Sequence, residues 1–155
     1  YDFGHELWPK LLRLRKPIYA YECKSYWTDV GNLSEYRRCQ IDALDRNIRI
    51  NIPGAELRKG VWVEGGSSID PKAVLRAPCL IGKGCRIEAG AVIGPYTVVG
   101  DRAAICAQAK LDHCILFDNV TVGRDVHLCN CILGANGNVR ESITVYEAAV
   151  LNIRE

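Results

Sequence analysis

The side chains with the most versatile chemistry in this chain of 155 residues are eight cysteines and three histidines. Thiols can form disulfides, and thiolate with imidazole can hold zinc. The spacing argues against both. Only Cys129-Asn130-Cys131 is closely spaced, and the paired Cys-x-x-Cys motifs of a zinc site are absent. Cys79 and Cys85 occupy positions that elsewhere take small apolar residues, where a thiol packs as a small hydrophobe. Cys23 and Cys39 lie outside that pattern, while Cys114, Cys129 and Cys131 cluster at one point of it. Reduced thiols are therefore expected, as in the cytoplasm. His113 and His127 are the candidate bases, and both read as solvated corner residues. His5 opens a helix and takes no role. Asp29, within Tyr26-Trp27-Thr28-Asp29-Val30-Gly31-Asn32, is a carboxylate on a turn just ahead of a helix.

These residues are positioned by a repeat. Large apolar side chains recur every six positions at Leu57, Val63, Ile69, Leu75, Ile81, Ile87, Ile93, Val99, Ile105 and Leu111. The beat shortens by one residue to Leu116, Val122 and Leu128, then again to Leu133, Val139 and Val145. Small or β-branched residues follow four positions after each beat, among them Val61, Ala73, Cys79, Cys85, Ala91, Thr97 and Ala109. In the shortened part the same count gives Ile115, Val120, Val126, Ile132, Gly137 and Ile143. A fixed internal period means one unit stacked many times.

A helix does not produce this period, because six residues at about 100° each would rotate the beat around its surface. Short strands with tight corners do, since residues i and i+2 share a strand face. Corner chemistry falls where it should, at Gly65-Gly66, Asp70-Pro71, Gly82-Lys83-Gly84, Gly94-Pro95, Gly100-Asp101, Asp118-Asn119, Gly123-Arg124 and Asn136-Gly137. The pattern resembles the hexapeptide repeat of left-handed parallel β-helices, and the resemblance implies roughly five coils of three sides each. The expected fold is thus mainly β, a left-handed β-helix preceded by a small α/β segment. The two shortened hexads should stack Asp112 to Ile115 directly on Cys129 to Ile132.

Residues 1–56 lack the beat. A helix is expected from Glu6 to Leu14 with Leu7, Leu11, Leu12 and Leu14 on one face, ended by Lys16-Pro17. Ile18 to Cys23 and Ser25 to Gly31 read as short strands. Asn32, with Glu35 three residues on, is a helix start. That helix should run from Leu33 to about Leu44 and bury Leu33, Tyr36, Ile41 and Leu44. The boundary between the two parts is expected near residues 50–51.

Taken with Asp2-Phe3-Gly4-His5-Glu6-Leu7-Trp8-Pro9-Lys10-Leu11-Leu12 and Ile18-Tyr19-Ala20-Tyr21-Glu22, the segment Tyr26 to Asn32 resembles the end of the catalytic domain of sugar-phosphate nucleotidyltransferases. The mannose-1-phosphate guanylyltransferase-like branch shows the same order of Trp-x-Asp-Val-Gly, helix and β-helix. The resemblance implies an enzyme that joins a nucleoside triphosphate to a sugar 1-phosphate and releases pyrophosphate. It implies Asp29 as a ligand of the catalytic Mg2+, which takes hard oxygen ligands, and Gly31 as a point of close approach near substrate. The family's Gly-rich triphosphate loop, its second metal carboxylate and its sugar-phosphate lysine are not in this sequence. The chain is therefore expected to be a C-terminal portion, inactive alone, with the β-helix serving regulation or oligomerisation. Two other readings are a hexapeptide acyltransferase using His113 or His127, and a purely structural module. Against the first, every interval between beats is five or six residues, so no loop is inserted.

A net charge of +2 with no run of like charge implies neither nucleic acid nor an anionic membrane. No stretch approaches the length of a membrane span. The aromatic and apolar residues of 1–44, including Trp8, Tyr19, Tyr21 and Trp27, are expected to seek a partner surface, giving a homo-oligomer. Tyr146 to Glu155 is expected to cover the end of the coils or to lead onward.

Overall fold

In the computed structural model, which describes residues 1–150, the inward beat is a backbone register. Val63 pairs with Ile81 and Ile81 with Val99, eighteen residues at each step. Ile69, Ile87 and Ile105 form a second column, and Leu75, Ile93 and Leu111 a third. The step then falls to seventeen, through Leu116 and Leu133, Val122 and Val139, and Leu128 and Val145. All these ladders are parallel. They close a three-sided prism, one face with seven strands and two with five. The expected β-helix of about five coils is what the chain forms.

The prism is filled along its axis. Ile81, Ile87, Ile93, Val99 and Ile105 are each no more than 2% exposed. Among the described residues no buried side-chain nitrogen or oxygen lacks a hydrogen-bond partner. The corners use left-handed backbone at stacked positions, such as Tyr96, His113 and Asn130, or Arg102, Asn119 and Asn136. His113 N–H donates to the Pro95 carbonyl and Asn130 N–H to that of Asp112, so each corner is hydrogen-bonded to the one before. At Gly100 an added Cβ would lie 2.7 Å from the Phe117 carbonyl carbon, so the stacking of coils requires glycine there.

Shortening by one residue changes which side chain turns inward. The inward small positions become Cys114 and Cys131, both fully buried, rather than Ile115 and Ile132. Ile115 pairs with Val98 and Ile132, on the outside of the first face. That outer row reads Trp62, Leu80, Val98, Ile115 and Ile132, apolar throughout. Its counterpart on the second face reads Ser68, Arg86, Ala104, Thr121 and Asn138. One face of the prism is thus built to be covered.

The cover is α2, Leu33–Leu44, the helix expected from its start signal. The Asn32 side chain accepts from Glu35 N–H at 2.9 Å and caps it. Tyr36 stacks on Phe117 with ring centroids 6.3 Å apart. Leu44 is buried and lines one cavity with Trp62 and Pro78. Tyr96 Oη donates to Asp45 at 3.2 Å, and the Arg46 guanidinium sits 5.4 Å over the Trp62 ring while bonding Glu56. Of the four side chains expected to be buried, Leu44 alone is; Tyr36 and Ile41 are half-buried and Leu33 is exposed.

Three further expectations are corrected. Leu57 is not the first inward beat. It lies on Ala55–Arg58, which pairs antiparallel with Val61–Val63, and it is exposed at the open end of the prism. The first helix is a π-helical turn, Phe3–Leu7, continuing into α1, Trp8–Arg13, and buries none of its leucines fully. Residues Ile18 to Cys23 and Ser25 to Gly31 form no strand. A strand exists only as a paired ladder, and no segment among the described residues pairs with them. At the other end, Thr144–Tyr146 and Ala149–Val150 continue the coils, and residues 151–155 lie outside the described part.

The buried thiols give a pH prediction. Desolvation pushes Cys114 up to about 12 and Cys79 up to about 11 from an ordinary value of 9.0. In the unfolded chain these thiols lose their protons first as pH rises. The folded state then binds more protons than the unfolded one, so stability falls with pH from about 9 upward. Denaturant midpoints should be flat through neutral pH and drop steadily from pH 9 to 11. Cys114→Ala should flatten that drop.

Candidate functional site

The Asp29 segment is irregular backbone held from one side. Tyr26 Oη donates to Asp42 at 2.7 Å, and this hydrogen bond is the main cause of a raised tyrosine pKa and a lowered Asp42 pKa. Thr28 Oγ1 donates to Glu35 at 3.3 Å. Both acceptors are on α2, and the Asn32 cap fixes the point where the segment enters that helix. α2 therefore couples two surfaces. Its Glu35 and Asp42 hold the Asp29 segment, while Tyr36, Asp45 and Arg46, the last two just past its end, hold the prism.

Between these anchors Asp29 is exposed and makes no side-chain bond among the described residues. Trp27 beside it is 79% exposed, and Tyr19 and Tyr21 upstream are 89% and 91% exposed. A Cβ added at Gly31 would meet only the Asp29 carboxylate, at 4.0 Å, so nothing within the chain requires glycine there. A single free carboxylate suits a hard cation such as Mg2+ as one ligand of several. Among the described residues no three or more His, Cys, Asp or Glu side chains gather to complete a metal site.

Two of the three histidines lie on or beside the third face. His113 sits on the shortened corner, its Nδ1 on the Asp112 carboxylate and its ring 5.0 Å from that of Tyr96. His127 is aligned with Lys110, one coil away from it. His5 lies at the opening turn, its ring 3.0 Å from Asp2. The outer row that receives α2 is apolar at the position before the inward beat on the first face alone, a contrast the sequence carries once the three faces are separated. It passes unnoticed when only the inward beat is followed.

The family described as the GMPPB C-terminal domain matches residues 75–153. Over 131 residues, 83% of this chain, the sequence is 32% identical to a UTP--glucose-1-phosphate uridylyltransferase of Synechocystis. Over 94% of the chain it is 25% identical to a glucose-1-phosphate adenylyltransferase of Pasteurella multocida. The chain spans about a third of the length of these relatives, 34% and 36%. A solved structure of perosamine N-acetyltransferase from Caulobacter crescentus aligns at 16% identity and a TM-score of 0.37, covering 91% of this chain and 71% of that one. A hexapeptide β-helix joined through a capped helix to Trp27-Thr28-Asp29-Val30-Gly31 defines the class, the C-terminal portion of the sugar-phosphate nucleotidyltransferases. Within that class the chain belongs to the GMPPB C-terminal domain family.

No helix among the described residues is long and apolar enough to cross a membrane.

Proposed function

We propose that this chain is the C-terminal part of a cytoplasmic enzyme that condenses a nucleoside triphosphate with a sugar 1-phosphate, releasing pyrophosphate and a nucleotide-sugar. The observation that supports this reading is the Asp29 segment. It is clamped to α2 on one side and presents a free carboxylate and several aromatic rings on the other. Asp29 would be one ligand of Mg2+, which when bound neutralises phosphate charge and aligns the reacting groups. Gly31 would let substrate or backbone approach closely. Residues 1–50 would complete a catalytic domain whose triphosphate loop and second carboxylate precede this chain. The exposed aromatics would bury against that domain, or against a second copy in a homo-oligomer, because large apolar patches seldom stay solvated. The β-helix, from residue 51, would set assembly or regulation.

Positioning carries most of the catalysis in phosphoryl transfer, so one carboxylate without its partners should do nothing. Pyrophosphate release from a nucleoside triphosphate and a sugar 1-phosphate, with Mg2+, is the test. The full-length parent should turn over, and this chain alone should not. Turnover by the isolated chain would overturn the reading.

A further inference from the structure

On the outside of the third face Val92, Lys110 and His127 stand in one column. Asp112, Cys129 and Tyr146 stand in the next. Gly94 occupies that second column one coil before Asp112, with φ +94, and a Cβ there would collide with the Arg76 carbonyl oxygen. The fold forbids a side chain at that point, which leaves a notch. The notch opens a groove of about 320 Å³ bordered by Arg76, Lys110 and His127. Its other wall includes Val92, Cys129 and Tyr146.

The groove gathers three basic side chains along its lining. The side chains of Arg76, Lys110 and His127 make no hydrogen bond or ion pair among the described residues. Other basic side chains, such as Lys72, Lys83, Arg124 and Arg140, are also without such bonds among the described residues, so what sets the groove apart is that three such donors line one cavity. Asp112 is the acid in the groove lining, and its carboxylate is engaged by the His113 ring. Lys110 and His127 face the same way on adjacent strands, a destabilising arrangement whenever the imidazole is protonated. An anion between them would remove that repulsion and take the charge-assisted hydrogen bonds that the three donors leave unmade. The volume lies at the small end of the range for ligand sites, which suits a sugar-sized body and not a dinucleotide.

We propose that this groove binds a small phosphate monoester. The oxyanion sits on Arg76, Lys110 and His127, and the organic body lies against Val92 and Tyr146. The proposal is independent of the nucleotidyl-transfer reading, and its test measures no turnover.

Amide and side-chain NMR shifts of this chain, titrated at constant ionic strength with glucose 6-phosphate and separately with inorganic sulfate, provide the test. Saturable shifts are expected at Gly94, Lys110 and His127, with the ester bound more tightly than sulfate. Combining Arg76→Ala with Lys110→Ala should weaken both probes by roughly tenfold or more, since two charged donors are lost. Tyr146→Ala should weaken the ester alone. Lys83→Ala with Arg86→Ala removes the same charge elsewhere and should change neither affinity. All these positions are exposed, so melting temperatures should stay near that of the parent. Absence of saturable shifts in the groove, an equal loss in the charge control, or sulfate bound as tightly as the ester would overturn the proposal.

Discussion

Ile93→Asp abolishes the cooperative fold of the β-helix. Ile93 is fully buried in the third column, paired to Leu75 on one side and Leu111 on the other. Its side chain points down the axis of the prism, among side chains that are buried and apolar. A carboxylate placed there has no cation and no donor within reach. The charged form would cost several kcal/mol even after relaxation, and the protonated form would still leave a polar group unpaired. In a stack where each coil touches only its neighbours, loss of a central coil also separates the two ends. The total stability of such a domain is only about 5–15 kcal/mol, so the loss is comparable to the whole. Circular dichroism of the variant should lack the sheet signal and the sharp thermal transition of the parent. Ile93→Val should cost about 1 kcal/mol, and Ser68→Asp, on the exposed second face, should stay within about 0.5 kcal/mol. A folded Ile93→Asp protein with a parent-like midpoint would mean the axis is wet.

The contrast between Ile93 and Ser68 also shows what the sequence made legible. Inward positions obey one rule, because a closed prism admits only apolar side chains along its axis. The six-residue beat therefore predicted the register of Ile81, Val99 and their neighbours. α2 was legible for a local reason, since Asn32 and Glu35 mark its start and the cap forms as that spacing requires. Two kinds of feature were not legible in the same way. Shortening a corner by one residue re-aims the next side chain, so Cys114 replaces Ile115 inside, and a count of four from the preceding beat misses it. The branched apolar Ile115 and Ile132 belong to the outer row that α2 covers, and that row becomes visible only when all three faces are compared. The segment Ile18 to Gly31 failed differently. Its tyrosines and alternating apolar residues have strand propensity, but propensity without a ladder partner leaves irregular backbone. Asp29 is singled out by its neighbours Trp27 and Gly31 rather than by any geometry, so its assignment stays a proposal. The structure adds that Tyr26 and Thr28 tie it to α2.

That tie sharpens the second large effect, expected for Asp29→Asn in the full-length parent. The substitution keeps the size of the side chain and removes its charge. Asp29 is exposed and makes no bond within the described residues, so folding stability should change by no more than about 0.5 kcal/mol. The clamps from Tyr26 to Asp42 and from Thr28 to Glu35 do not involve it, so the segment should keep its path. A neutral amide oxygen is a poorer ligand for Mg2+ than a carboxylate, and the charge it withdraws is one the proposed metal site would need. Transfer should therefore fall by about 100-fold or more in kcat/KM, the scale seen when one preorganised electrostatic group is removed. Thr28→Val provides the complementary case. It leaves the carboxylate and loosens its support, so its loss should be smaller and should appear with a more mobile Asp29 segment. Melting curves, magnesium titrations and initial rates on the two variants separate these roles. If Asp29→Asn retained near-parent rates at saturating Mg2+, Asp29 would be a turn residue ahead of α2, and the catalytic assignment would fall while the β-helix and its docked helix stood unchanged.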